Sequence, residues 1–152
     1  MKPAFKIASL TGPIQSIFRI VVGFLFACHG AASLFGVFGG ASGTHGGTVA
    51  FGTWPGWWAA VIELVCGVLV ALGVGTRVAA LLCSGSMAFA YFTVHIKHGL
   101  LPIVNSGEPA ALYSWIFVLI AVMGPGPWAL ASKLSRAQRS NSYRTDAGEA
   151  AA

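Results

Sequence analysis

The chain has 152 residues, of which 56% are hydrophobic and only 9% charged, with a mean hydropathy of +0.76. A soluble domain usually carries ~25% charged residues, so a soluble fold of this chain would leave large apolar patches exposed, whereas one helical membrane domain accommodates the composition. The net charge of +5 does not indicate nucleic acid: four of the nine basic residues (Lys133, Arg136, Arg139, Arg144) lie in the C-terminal tail, and no recognition module accompanies them.

Residues 1–13 form a short mixed segment with Lys2 and Lys6. Pro13 suits the first turn of a helix, where its missing N–H is tolerated. A first span is predicted over 14–38. Its stretch 20–38 is 19 residues long with His29 as the only strongly polar side chain, close to the ~20 residues that cross a bilayer. Arg19 is expected at the cytoplasmic edge, where its long stem lets the guanidinium reach water. Lys2 and Lys6 ahead of an apolar run, Ala31-Ala32-Ser33 and the lipoprotein-like Leu25-Phe26-Ala27-Cys28 raise the alternative of a cleaved signal peptide. The run continues to Phe38, beyond the ~7–15 residues of a signal core, so a retained helix is expected.

A glycine-rich loop with His45 covers 39–53. Trp54, Trp57 and Trp58 then mark an interface at the start of a second span, 54–74. Glu63 is the single charge within 57–74. A lone carboxylate in such a stretch is costly in lipid and is expected to face a protein interior or a cavity. Gly73-Val74-Gly75-Thr76-Arg77 makes a tight turn, which forces antiparallel neighbours. The third span, 77–97, ends in His95-Ile96-Lys97-His98. After the loop 99–108, Pro109 opens a fourth span, 109–130, with Glu108 near its positive end. Gly124-Pro125-Gly126-Pro127 is expected to break that span near its inner end. Residues 131–152 are expected to form a basic, disordered cytoplasmic tail.

These features predict an all-α fold: an integral membrane four-helix bundle of up-down antiparallel topology. The termini and the Arg77 turn hold eight of the nine Lys and Arg residues when Arg19 is counted with the N-terminus. Both termini of a multi-pass membrane protein are therefore expected in the cytoplasm. Cys28, Cys66 and Cys83 lie in apolar segments without a Cys-x-x-Cys pair and read as buried thiols.

Residues three and four apart share a helix face. Arg19, Gly23, Phe26, Gly30 and Ser33 make one stripe, Glu63, Gly67, Val70 and Val74 a second, and Arg77, Ser84, Ala88, Tyr91 and His95 a third. Helical rise puts His29 ~15 Å beyond Arg19 and Glu63 ~9 Å inward from Trp57, which brings His29 and Glu63 to compatible depths for a hydrogen bond. Two readings of this pair stay open. It is a structural pair that fixes helix register, or a protonatable centre for proton or quinone chemistry. An outer group of His95, Lys97, His98 and Glu108, with His45 in reach, is expected to contact a partner or head group. His95 and His98 supply only half of a metal site, and no fixed spacing supplies the rest, so no metal is assigned.

The arginine-led first helix with His29-Gly30 and Leu34-Phe35-Gly36 resembles the DoxX family of small bacterial membrane proteins. Glu63-Leu64-Val65-Cys66-Gly67, the turn at 73–77, His95 and Gly124-Pro125-Gly126-Pro127 extend the resemblance over roughly 18–130. Ser33 departs from it, since many relatives carry lysine there. The resemblance implies a four-helix membrane domain in a quinone-linked redox or oxidative-stress system, as a membrane oxidoreductase subunit. On that reading Glu63 and His29 handle protons, Arg77 or His95 orients a head group, and Arg19 and Tyr91 complete the ligand site. The alternative is a non-catalytic membrane scaffold that anchors soluble redox enzymes. Expected partners are the lipid bilayer, soluble redox enzymes or a membrane redox complex, and further copies of the chain. No recognisable motif encodes a bound cofactor, and quinone is the one that the resemblance implies.

Overall fold

A computed structural model describes residues 10–41 and 44–132. Four α-helices carry the fold: α1 (Thr11–Phe35), α2 (Gly56–Leu72), α3 (Thr76–Thr93) and α4 (Glu108–Met123). Short 3₁₀ turns at Val37–Gly39 and His95–His98 extend α1 and α3, and there is no strand among the described residues. α1 and α3 with its 3₁₀ extension are long and apolar enough to cross a membrane, while α2 and α4 are shorter apolar helices. At 17 and 16 residues they reach ~25 Å.

The helices run up and down, with α1 packed on α2, α2 on α3, and α3 on α4. The α1–α2 seam is closed by glycine. A Cβ on Gly23 would lie 2.7 Å from the Gly67 carbonyl oxygen, one on Gly67 would lie 2.9 Å from the Gly23 oxygen, and one on Gly30 would lie 2.6 Å from the Ala60 oxygen. Two backbones approach this closely only where no side chain intervenes. The core continues across the bundle through Phe26, Val70, Ala80, Cys83, Phe117 and Ile120. Large apolar side chains cover the outside instead, among them Phe24, Phe92, Trp115 and Val122.

Arg19 corrects the expectation drawn from its position. It does not reach outward to water but is 1% exposed, inside the bundle. Its Nε donates to the Pro125 carbonyl at 2.8 Å, and its Nη1 donates to the carbonyls of Ala71, at 2.7 Å, and of Val70. The last carbonyls of a helix lack intrahelical donors, and the end of α2 gives this guanidinium its acceptors. Gln15 adds bonds from its Nε2 to the carbonyls of Met123 and Gly124, at 2.9 and 3.1 Å. One end of the bundle therefore joins the start of α1, the end of α2 and the segment after α4.

The fourth helix stops at Met123, short of the expected limit of 130. Gly124 takes φ 82°, and Pro125 follows, so the Gly-Pro-Gly-Pro run ends the helix at its first residue. The expected N-terminal segment through residue 9 and the tail from 133 lie outside the described residues, as do Ser42 and Gly43.

Candidate functional site

The opposite end of the bundle holds a cavity of about 320 Å³. All four helices contribute to it: Phe26 and His29 from α1, Glu63 from α2, Met87 and Ala90 from α3, and Ala110 and Tyr113 from α4. His95 and Ser106 close it from the connecting segment. Glu63 lies seven residues from the start of α2, ~10 Å along the helix axis. The close α1–α2 contact at Gly30 holds α1 beside α2 at this level, so His29 and Glu63 reach one cavity from adjacent helices.

Glu63 is half-buried, and its carboxylate makes no hydrogen bond or ion pair among the described residues. The expected His29–Glu63 hydrogen bond is not formed. His29 instead meets the Tyr113 ring edge-on, with centroids 6.1 Å apart, and its outer side is exposed. Matching depth brings the two residues to one cavity, but the rotation of α1 sets them on different walls. Tyr113 is clamped by Phe26 and Phe117, at centroid distances of 5.2 and 6.0 Å. Its hydroxyl has no hydrogen-bond partner among the described residues.

His95 is positioned by the loop that follows it. Asn105 is buried, donates from Nδ2 to the Gly99 carbonyl at 2.7 Å and accepts the Gly107 N–H on Oδ1 at 2.8 Å. Its own carbonyl lies 3.2 Å from His95 Nδ1. That contact assigns the proton of neutral His95 to Nδ1 and leaves Nε2 as the basic nitrogen. Gly107 is required here: a Cβ would lie 2.8 Å from His95 Cβ and 2.9 Å from the Tyr91 ring. Tyr91 stands behind His95 and donates to the Leu100 carbonyl at 2.7 Å, which ties the loop to α3.

The structure therefore divides the residues singled out from sequence. Glu63, His29 and His95 line one cavity. Tyr91 supports its rim rather than its lining. Arg77 is exposed at the other end of α3, ~27 Å along the axis from His95, and its Nη1 donates to the Ala121 carbonyl at 3.0 Å and the Val122 carbonyl at 3.3 Å. It cannot orient a group held beside Glu63, and neither can Arg19. Lys97 and His98 are exposed on the 3₁₀ turn, and Glu108 is exposed in the first turn of α4, so none of the three enters the cavity. Sequence reasoning missed Tyr113, Asn105 and Ser106. Asn105-Ser106-Gly107 carries a turn signal, and Ser106 does take φ 57°. Tyr113 has no comparable signal, because a phenol inside an apolar helix is equally suited to the core.

This chemistry is an unpaired carboxylate, two imidazoles and a free phenol above apolar walls of Phe26, Met87, Ala90 and Ala110. It suits a small ligand with polar atoms at its edge and a flat apolar face. Glu63, His95 and Tyr113 provide groups for taking up or delivering protons at that edge.

The DoxX family profile matches residues 14–96, from the first turn of α1 through His95. An "Uncharacterized protein" of Haemophilus influenzae is 41% identical over 118 residues, which span 76% of this chain and 86% of that protein. No solved structure matches the chain. The profile covers more than half of the sequence, including His29, Glu63 and His95, and the chain belongs to the DoxX family.

Proposed function

We propose that the chain is a multi-pass protein of the bacterial inner membrane that binds a quinone-type head group beside Glu63, as the membrane subunit of a redox system. Membrane placement is supported by the reversed surface pattern: apolar side chains outside, Arg19, Ser16 and Ser84 inside. All four helices are read as spans. Trp54 at the start of α2 and Trp128 beyond α4 are exposed at opposite ends, where aromatic rings anchor in the head-group region.

One observation carries the ligand reading. Glu63 presents a carboxylate without a partner to a cavity that also offers histidine and tyrosine side chains. An ionisable residue that only fixed helix register would be paired. Reduction of a quinone to its quinol takes up protons as well as electrons. The two protons can come from Glu63 in its carboxylic-acid form and from His95 once its Nε2 has taken up a proton from the outer end, each group being reprotonated from that end, while electrons come from a partner protein. Tyr113 can donate a hydrogen bond to a quinone carbonyl, and Phe26, Met87 and Ala90 line the apolar side of the cavity. The ~300–1,000 Å³ range of small-molecule sites includes a cavity of this size.

The test is binding of a fully substituted, tail-less benzoquinone, which does not alkylate cysteine, to the purified chain in nanodiscs. Wild type binds it, and Glu63→Leu and Tyr113→Phe each weaken binding by about tenfold, as expected for a lost buried hydrogen bond. Absence of binding to wild type rejects this reading and leaves the non-catalytic scaffold.

A further inference from the structure

The Glu63 cavity has an apolar neighbour. A groove of about 460 Å³ runs between α1 and α4, with walls of Val22 and Leu25 on one side and Leu112 and Ile116 on the other. Pro109 and Tyr113 line both the groove and the cavity, so the two spaces are neighbours across those residues. Leu25 and Leu112 are exposed on its outer face. The seam differs from that between α1 and α2. There glycine brings backbones together, whereas α1 and α4 meet through the rings of Phe26, Tyr113 and Phe117. Ring contacts at one level hold the helices apart and leave the space beside them open.

Resting on the head-group reading above, we infer that the ligand enters sideways from the bilayer between α1 and α4 and keeps an apolar tail in this groove. Its chemical class is then an amphipathic, lipid-soluble molecule: a small polar ring for the Glu63 cavity and an isoprenoid or acyl chain for the groove. The tail of that molecule is the occupant, because the groove lies beside the cavity with only Pro109 and Tyr113 shared between them, and its four aliphatic walls offer nothing to a polar group. Glu108 alone is charged along it, at the outer rim. A tail moving from lipid into the groove gains little hydrophobic free energy, since lipid is as apolar as leucine. The groove acts by alignment, directing the head past Tyr113, so the test reads position and head–tail coupling rather than tail-dependent affinity.

A quinone with a photoreactive diazirine on its tail is added to the chain in nanodiscs, irradiated, and its adducts are mapped by mass spectrometry. Adducts are expected at Leu25, Leu112 or Ile116. An excess of the tail-less benzoquinone reduces them about tenfold or more by occupying the cavity. Leu112→Trp fills the groove from an exposed position, so it removes the adducts while tail-less binding stays within about twofold of wild type. Groove adducts that persist undiminished under the competitor identify an ordinary lipid-chain site and overturn the inference. Adducts elsewhere, with tail-less binding intact, also overturn it but spare the cavity reading. Loss of tail-less binding in the wild type itself removes both.

Discussion

Arg19 donates to the carbonyl of Val70, joining α1 to the last turn of α2 from inside the bundle. Arg77 makes the corresponding link in the other hairpin, from α3 to the last turn of α4 at Ala121 and Val122. Each hairpin thus uses an arginine from its first helix on the C-terminal carbonyls of its second, where the helix dipole favours a cation. The two differ in environment. Arg19 is enclosed and also holds Pro125, whereas Arg77 is exposed.

That difference predicts unequal costs. Arg19→Met removes the donor to the buried Val70 carbonyl, worth ~1–3 kcal/mol when left unpaired, and to the part-buried carbonyls of Ala71 and Pro125. Arg77→Met frees one part-buried carbonyl, that of Ala121, and one exposed carbonyl, that of Val122, and is expected to cost less, about 1 kcal/mol. Thermal unfolding in detergent, followed by a thiol-reactive dye that reports exposure of buried Cys66 and Cys83, ranks the two. Equal melting points for the two variants would contradict the burial difference.

The glycine seam makes a second prediction. Gly67→Ala forces a methyl against the Gly23 carbonyl and the Ala27 backbone, and Gly30→Ala forces one against α2, so both separate the helices. Overpacking of this kind costs ~1–3 kcal/mol. Gly85 has open space where its Cβ would stand, and Gly85→Ala is expected to be neutral or to stabilise by up to ~1 kcal/mol. The same dye assay checks all three, and a Gly30→Ala protein as stable as wild type would show that the seam relaxes.

How far the sequence was legible depends on the kind of information each residue carries. Hydropathy and the Gly-Pro-Gly-Pro break were enough to expect four helices, because length and backbone chemistry are local. Glu63 stood out because a lone carboxylate is costly in any apolar stretch. Gly23, Phe26 and Gly30 fell on the buried face of α1 because helical periodicity fixes which residues travel together. The direction of Arg19 was not legible: its long side chain can reach outward or inward, and the choice depends on the end of α2, 51 residues away. Likewise, the absence of a His29–Glu63 bond depends on the relative rotation of two helices, which spacing within each does not determine. Arg77 shared a stripe with His95 by periodicity, yet axial distance places them at opposite ends.

Topology yields a third prediction. With the native cysteines replaced, a cysteine at exposed Thr48 in the first outer loop is expected to react with an impermeant thiol reagent added to whole cells. A cysteine at Ser140, in the tail, is expected to react only after the membrane is opened. Labelling at 140 in intact cells would contradict the positive-inside orientation.

The central claim is that Glu63 exchanges protons with a redox ligand held beside it. Infrared difference spectroscopy on electrochemical reduction of the tail-less benzoquinone bound to the chain in nanodiscs tests it most directly. The account predicts a change in a carboxyl C=O stretching band that accompanies reduction, is present in wild type and Glu108→Gln, and is absent in Glu63→Gln. A spectrum with quinone bound and reduced, but with no carboxyl change in wild type or with the same change retained in Glu63→Gln, would contradict it.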